Sequence, residues 1–122
     1  NTIFDGNQAG QHGGALAVTT SAYASCTADP TTTFAGNSAV DGGAIWVHNS
    51  SSLSFYGAFA FEDNVAIGDP QYVNVTGYGG AVHLVGADVT WNGTVTFTGN
   101  GALEGGGALY ISTSNVSWNA QT

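Results

Sequence analysis

The stretch Phe34-Ala35-Gly36-Asn37-Ser38-Ala39-Val40-Asp41-Gly42-Gly43-Ala44-Ile45 recurs in outline four times along the 122 residues. Its first half, Phe-x-x-Asn-x-Ala, returns as Phe4/Asn7/Ala9, Phe61/Asn64/Ala66 and Phe97/Asn100/Ala102. Its second half, two glycines, Ala and an aliphatic residue, returns at Gly13 to Leu16, Gly79 to Val82 and Gly106 to Leu109. A fixed self-similarity of this length marks a repeat architecture, in which each copy is one supersecondary unit. The longest interval between copies comes mostly from an insertion at about 68–78. The chain reads as one domain over residues 1–122 carrying that insertion.

Three short alternating segments fill each repeat. The first follows the glycines, with Leu16/Val18, Ile45/Val47, Val82/Leu84 and Leu109/Ile111 on one face. The second carries Leu53/Phe55, Val89/Trp91 and Val116/Trp118, with Ala24/Cys26 at the same offset in the first repeat. The third carries Thr2/Phe4, Thr32/Phe34, Phe59/Phe61 and Val95/Phe97. Period-two alternation in runs this short predicts strands, because helices need about ten residues and an i, i+3, i+4 pattern. Three short strands per coil, stacked over about four coils, predict a parallel β-helix with interior columns of like residues. Asn7, Asn37, Asn64 and Asn100 then form a side-chain ladder at one corner, and the glycine pairs provide backbone shapes closed to other residues.

The Phe-x-x-Asn and Gly-Gly-Ala-Ile pattern resembles the repeat of the chlamydial polymorphic outer membrane proteins. Phe34-Ala35-Gly36-Asn37 with Gly42-Gly43-Ala44-Ile45 is the closest pair. The resemblance implies a right-handed parallel β-helix of the kind found in secreted surface passengers, with a role in adhesion or surface structure. The family's motif residues are structural, so it implies no catalytic residue. This chain departs from the family in its small size and in its lack of basic residues.

Composition narrows the function classes. Eight acidic residues and no Lys or Arg give a formal charge of -8. Such a chain has no cation with which to neutralise phosphate, and its field repels nucleic acid and anionic membranes. A hydrophobic fraction of 43% argues against disorder, since that much apolar surface seeks burial. No apolar run is long enough to span a bilayer, so no membrane insertion is expected. The single Cys26 has no internal disulfide partner, and its column position predicts a small buried hydrophobe.

The last repeat ends after its second segment, and the chain opens with a third segment, Asn1-Thr2-Ile3-Phe4. This predicts either head-to-tail stacking, in which each subunit completes its neighbour's last coil, or continuation in a longer chain.

Candidate chemistry is sparse. Asn49, Asn74, Asn92 and Asn115 each begin an Asn-x-Ser/Thr sequon and are candidate N-glycan acceptors. Trp46, His83 and Tyr110 fall at outward positions of successive first segments, a possible contact strip for sugar rings or another subunit. His12, His48 and His83 stand at different offsets of the repeat, so no metal is predicted. Asp5 and Glu62 share an offset, but Ala35 stands between them and leaves about two coil spacings, and no basic residue accompanies them. No cofactor and no catalytic residue are predicted. The expected role is a structural subunit of an extracellular fibre or surface layer. The alternative is an adhesin module of a larger surface protein, with a polysaccharide-active enzyme third.

Overall fold

The computed structural model describes residues 2–71 and 76–119. Turn chemistry shapes each coil before packing does. Gly13, Gly42, Gly79 and Gly106 lie at φ of 58°, 62°, 70° and 65°, the left-handed region that glycine enters without steric cost. The second glycine of each pair serves a different need. A Cβ on Gly14, Gly43 or Gly80 would overlap the carbonyl oxygen of the equivalent glycine one coil on. One glycine turns the chain within its coil, and the next lets adjacent coils nest.

Thirteen strands follow among the described residues: β1 (Thr2–Asp5), β2 (Leu16–Val18), β3 (Tyr23–Ala35), β4 (Ser38–Ala39), β5 (Ile45–His48), β6 (Ser52–Glu62), β7 (Val65–Ala66), β8 (Val82–Val85), β9 (Asp88–Asn92), β10 (Val95–Thr98), β11 (Gly101–Ala102), β12 (Leu109–Ser112) and β13 (Asn115–Asn119). They form three sheets: β1-β3-β6-β9-β13 with β10 beside β6, then β11-β7-β4, then β12-β8-β5-β2. All paired strands run parallel, each with its repeat equivalent one coil away. The molecule is a right-handed parallel β-helix.

The partition into strands differs from the sequence reading in one respect. The second and third segments do not form separate sheets but run on as one bent strand in β3 and β6. The bend falls at a register shift between Thr27 and Thr31, opposite Gly57. Gly57 and Gly93 stack at this crease with φ of 106° and 137°, and a Cβ on Gly93 would strike Gly57 O. The third sheet comes instead from the two-residue strands after each ladder Asn, whose alanines Ala39 and Ala66 are fully buried.

Interior columns are stacked face to face. Phe4, Phe34, Phe61 and Phe97 have successive centroid separations of 4.7, 4.9 and 5.2 Å, close to the roughly 4.8 Å between strands. Phe55, Trp91 and Trp118 form a second such column at 3.9 and 5.5 Å. Burying each aromatic contributes about 1.5–3 kcal/mol, so these columns dominate the core.

Asn7, Asn37, Asn64 and Asn100 are joined in series. Nδ2 of Asn7 donates to Asn37 Oδ1, Asn37 to Asn64 and Asn64 to Asn100, each at 2.9 Å. The same oxygens accept the backbone N–H of the preceding Asn at 2.9–3.0 Å. Each Nδ2 of Asn37, Asn64 and Asn100 also donates back to Phe4, Phe34 or Phe61 O at 2.9 Å. Asn37 and Asn64 have no exposed surface, and this full set of partners is what makes their burial affordable in a low-dielectric interior.

Candidate functional site

The outer face of the β12-β8-β5-β2 sheet carries the molecule's densest group of titratable and aromatic side chains. Parallel register builds it from three neighbouring columns. The position before each glycine pair holds His12, Asp41, Tyr78 and Gly105, linked by the bridges His12↔Asp41 and Tyr78↔Gly105. The outward strand position holds Ala17, Trp46, His83 and Tyr110 in direct register. Two residues further on stand His48, Val85 and Ser112.

The predicted strip Trp46, His83 and Tyr110 is therefore aligned and outside the core, yet it is not an open strip. Trp46 is 9% and His83 6% exposed, because the flanking columns lean over them. His12 stacks on one face of the Trp46 indole at 4.1 Å and His48 on the other at 4.0 Å. His83 meets His48 edge-on at 5.1 Å and Tyr110 edge-on at 4.9 Å, and Tyr78 tilts over Tyr110 at 4.7 Å.

The three histidines, apart in repeat offset, are together in space. A lateral step of two residues along a strand is little longer than the step between coils, so different offsets on adjacent coils converge. Sequence periodicity alone tracks only the second kind of step.

Asp41 sits at the centre of the group and is nearly buried. Its Oδ1 accepts the backbone N–H groups of Gly77 at 2.7 Å and Tyr78 at 3.0 Å, fixing the foot of the insertion. Asp69 N donates to Thr76 Oγ1 at 2.9 Å across the insertion's neck. His12 Nδ1 lies 4.0 Å from Asp41 Oδ2 and His83 Nδ1 lies 3.9 Å from Oδ1. Both separations are too long for hydrogen bonds. His12 belongs to the coil before Asp41 and His83 to the coil after it, so the two rings approach the carboxylate from opposite sides. Among the described residues no three His, Cys, Asp or Glu groups are placed to hold a metal ion.

Burial pushes the His83 imidazole down to about 4, with His48 and His12 adding to the effect against the pull of Asp41. Burial likewise lowers His48, assisted by the neighbouring His12 and opposed by Asp41. Both rings are neutral at pH 7, each with one donor and one acceptor nitrogen. His12 Nδ1, His48 Nε2, His83 Nδ1 and Trp46 Nε1 are buried without a hydrogen-bond partner among the described residues. Other atoms of these four residues border a cavity of about 400 Å³ shared with Asp41, Tyr78 and Tyr110, while the four nitrogens themselves are closed off from solvent.

The remaining candidates are dispersed. Asn49 and Asn115 are exposed, and Asn92 is partly covered. Asn49 Nδ2 donates to Thr19 Oγ1, Asn115 Nδ2 to Asp88 Oδ1, and Asn92 Oδ1 accepts from Asn119. Asn74 lies outside the described residues. Asp5 and Glu62 flank Ala35 on consecutive strands. Cys26 pairs in register with Phe55 and packs against the core, and burial raises its thiol above the usual value, which suppresses the nucleophilic thiolate.

The two ends of the long sheet are stepped. Strand β1 pairs only with Thr32 to Ala35 of β3, which leaves the outer edge of Tyr23 to Thr27 without a strand among the described residues. At the other end β13 pairs with β9, and the outer edge of β10 is without one. Ile3 is 65% exposed at one end and Trp118 50% at the other.

No helix of the described residues is long and apolar enough to cross a membrane. No curated protein and no solved structure matches the chain. The model of the Chlamydia polymorphic membrane protein repeat matches residues 1–19, 31–48 and 94–112. These segments hold three of the four Phe-x-x-Asn and Gly-Gly-Ala pairs, and the unmatched copy is the one split by the insertion. Over just under half of its length the chain is thus similar to that repeat, and its fold and this likeness together are those of a β-helical structural or adhesin-type domain.

Proposed function

We propose that the chain is a non-enzymatic structural subunit of an extracellular fibre, assembled by end-to-end stacking of β-helices. The columns support this reading, since each runs in register from coil to coil and a further copy could continue it. A second copy placed below the first would lay its β1 along the open edge of β10, with its Phe4 under Phe97 and its Asn7 under Asn100. In the same motion β13 would cover the open Tyr23 to Thr27 edge of that copy, with Trp118 over its Cys26. Two half-filled levels then make one complete coil. Backbone edges that would otherwise invite indiscriminate pairing are closed, and a heterologous contact that does not return on itself propagates as a filament.

Each subunit would contribute four strand levels, a rise of roughly 19 Å at ~4.8 Å per level. Asn49 and Asn115, exposed on the flanks, are the sequons best placed to carry N-linked glycans on such a fibre. A second reading, an adhesin module within a larger surface protein, is favoured by the likeness to the polymorphic membrane protein repeat.

Electron microscopy of the purified chain tests the stacking. Filaments with an axial rise of about 19 Å are expected, and Phe4→Asp is expected to abolish them while leaving the β-rich circular dichroism spectrum intact. Dispersed monomers of the unaltered chain at high concentration would refute the fibre and favour the module.

A further inference from the structure

We propose that the outer face of the β11-β7-β4 sheet is a docking surface for a basic, amphipathic polypeptide segment. Ala39 and Ala66 of this sheet fill the core, so strand alternation turns their neighbours outward. Val65, Ile67 and Leu103 are 40%, 55% and 62% exposed, three aliphatic side chains where a water-facing strand ordinarily carries polar ones. Ile67 and Leu103 are neighbours on adjacent coils. Val65-Ala66 pairs with Gly101-Ala102, and Leu103 N–H donates to Ala66 O at 3.1 Å.

The face is hollowed. Gly101 is in register with Val65, and a Cβ added to it would meet nothing within 4 Å. The missing side chain leaves a shallow groove of about 390 Å³ lined by Val65, Ile67 and Leu103 with the small residues between them. One wall is fixed in place. A Cβ on Gly68 or Gly77 would run into Leu103, so the leucine lies against the two glycines at the neck of the insertion. An exposed apolar patch with a polar rim is the ordinary mark of an interaction site.

The rim identifies the partner's chemistry. Glu62 and Asp63, both exposed, precede Val65. A Cβ on Gly99 would strike Asp63 Oδ1, so that carboxylate reaches over the next coil, two residues ahead of Gly101. Asp69 follows Ile67 by two residues, and the exposed Glu104 follows Leu103 directly. Half of the chain's eight acidic residues therefore border one groove, and the chain has no Lys or Arg to answer them. The cations must come from the partner. A second copy brings eight more acidic residues and no cation, and the flat face of a sheet has no free backbone hydrogen bonds to offset that repulsion. A sugar would find neither donor nor acceptor among the side chains lining the groove, all Val, Ala, Ile, Gly or Leu. Aliphatic side chains for the floor and Lys or Arg for the rim occur together in a basic amphipathic segment of another protein. The groove is on the flank of the β-helix, so the proposal holds for a fibre subunit and for a module alike.

Fluorescence anisotropy of a labelled amphipathic peptide of Leu and Lys, about 18 residues long, titrated with the full chain, tests it. Saturable binding is expected. Gly101→Val fills the groove from an open strand position, and Leu103→Asp puts a charge on its wall; each should weaken binding about tenfold or more. Glu62→Gln, Asp63→Asn and Glu104→Gln together should weaken it comparably and remove most of its dependence on salt. Tyr56→Ser, exposed on the long sheet, should leave it unchanged. Absence of binding overturns the proposal, as does binding that survives Gly101→Val in a chain with the parent's circular dichroism spectrum. Equal binding of a peptide with Ser in place of Leu overturns it too, by reducing the contact to diffuse charge attraction. Lateral pairing of the chain with itself, abolished by Leu103→Asp and not by Phe4→Asp, would make the occupant a second copy and overturn it equally.

Discussion

The Asn corner and the His shelf are both buried and polar, and they are opposites in every other respect. At the corner the same residue returns four times, and each amide meets its repeat equivalent within 3.0 Å. On the shelf no residue type returns within a column, and four ring nitrogens have no hydrogen-bond partner among the described residues. Identity suits a column whose work is to hold coils together, because one solution to the hydrogen-bond problem then serves every level. Divergence suits a surface that must present several chemistries at once. In a repeat protein, the columns that break the repeat are where to look for function.

Three experiments sharpen this contrast. The largest effect is expected within the glycine pairs that support both regions. Gly43→Ala places a Cβ onto Gly80 O, whereas Gly107→Ala has its nearest neighbour, Asn100 O, at 3.3 Å. Overpacking against a rigid backbone costs upward of about 3 kcal/mol, so urea denaturation should find Gly43→Ala barely folded and Gly107→Ala within about 1 kcal/mol of the parent. Equal losses at both sites would mean that coil nesting is not what the second glycine provides.

Next comes the ladder itself. Asn64→Leu removes both bonds donated by Nδ2 and both accepted by Oδ1, stranding Phe34 O, Asn37 N–H and neighbouring amides in the core. Stranded buried groups cost about 1–3 kcal/mol each before relaxation, and a loss of roughly 3–5 kcal/mol by chemical denaturation is expected. A loss below about 1 kcal/mol would show the ladder to be incidental.

The smallest effect belongs to the shelf, and its sign depends on pH. The folded His83 pKa of about 4 is below its unfolded value of 6.5, so the unfolded chain binds a proton first. Its contribution to stability is complete above pH 6.5 and is lost progressively as pH falls toward 4. His48, also lowered, acts in the same direction. His83→Phe should leave the melting temperature at pH 7 within a few degrees of the parent and flatten its decline between pH 6.5 and 4. Melting temperatures measured across that range for both chains decide the matter, and parallel curves would remove His83 as the cause.

Much of this was legible in the residues. Phe34, Asn37 and Gly42-Gly43 announced columns, corner and turn because like residues at like offsets must stack in a solenoid. The crease at Thr27 and Gly57 was not legible, since continuity of a bent strand depends on backbone dihedrals that Ala58 and Thr31 do not advertise. Nor was the shelf. His12, Asp41, Trp46 and His48 share no offset, and their meeting depends on steps along the strand as well as between coils. The burial of Trp46 followed from that same convergence, which turned an outward position into a covered one.

The stepped ends carry a mechanical consequence. In a β-helix the backbone hydrogen bonds run roughly along the axis, so an even lengthwise pull is shared among the bonds of a level. A joint divided between two levels would have no single plane of weakness, and peeling from one side would have to clear the overlap of β13 before reaching that of β1. A thread made this way would pass an even pull from one subunit to the next across both overlaps.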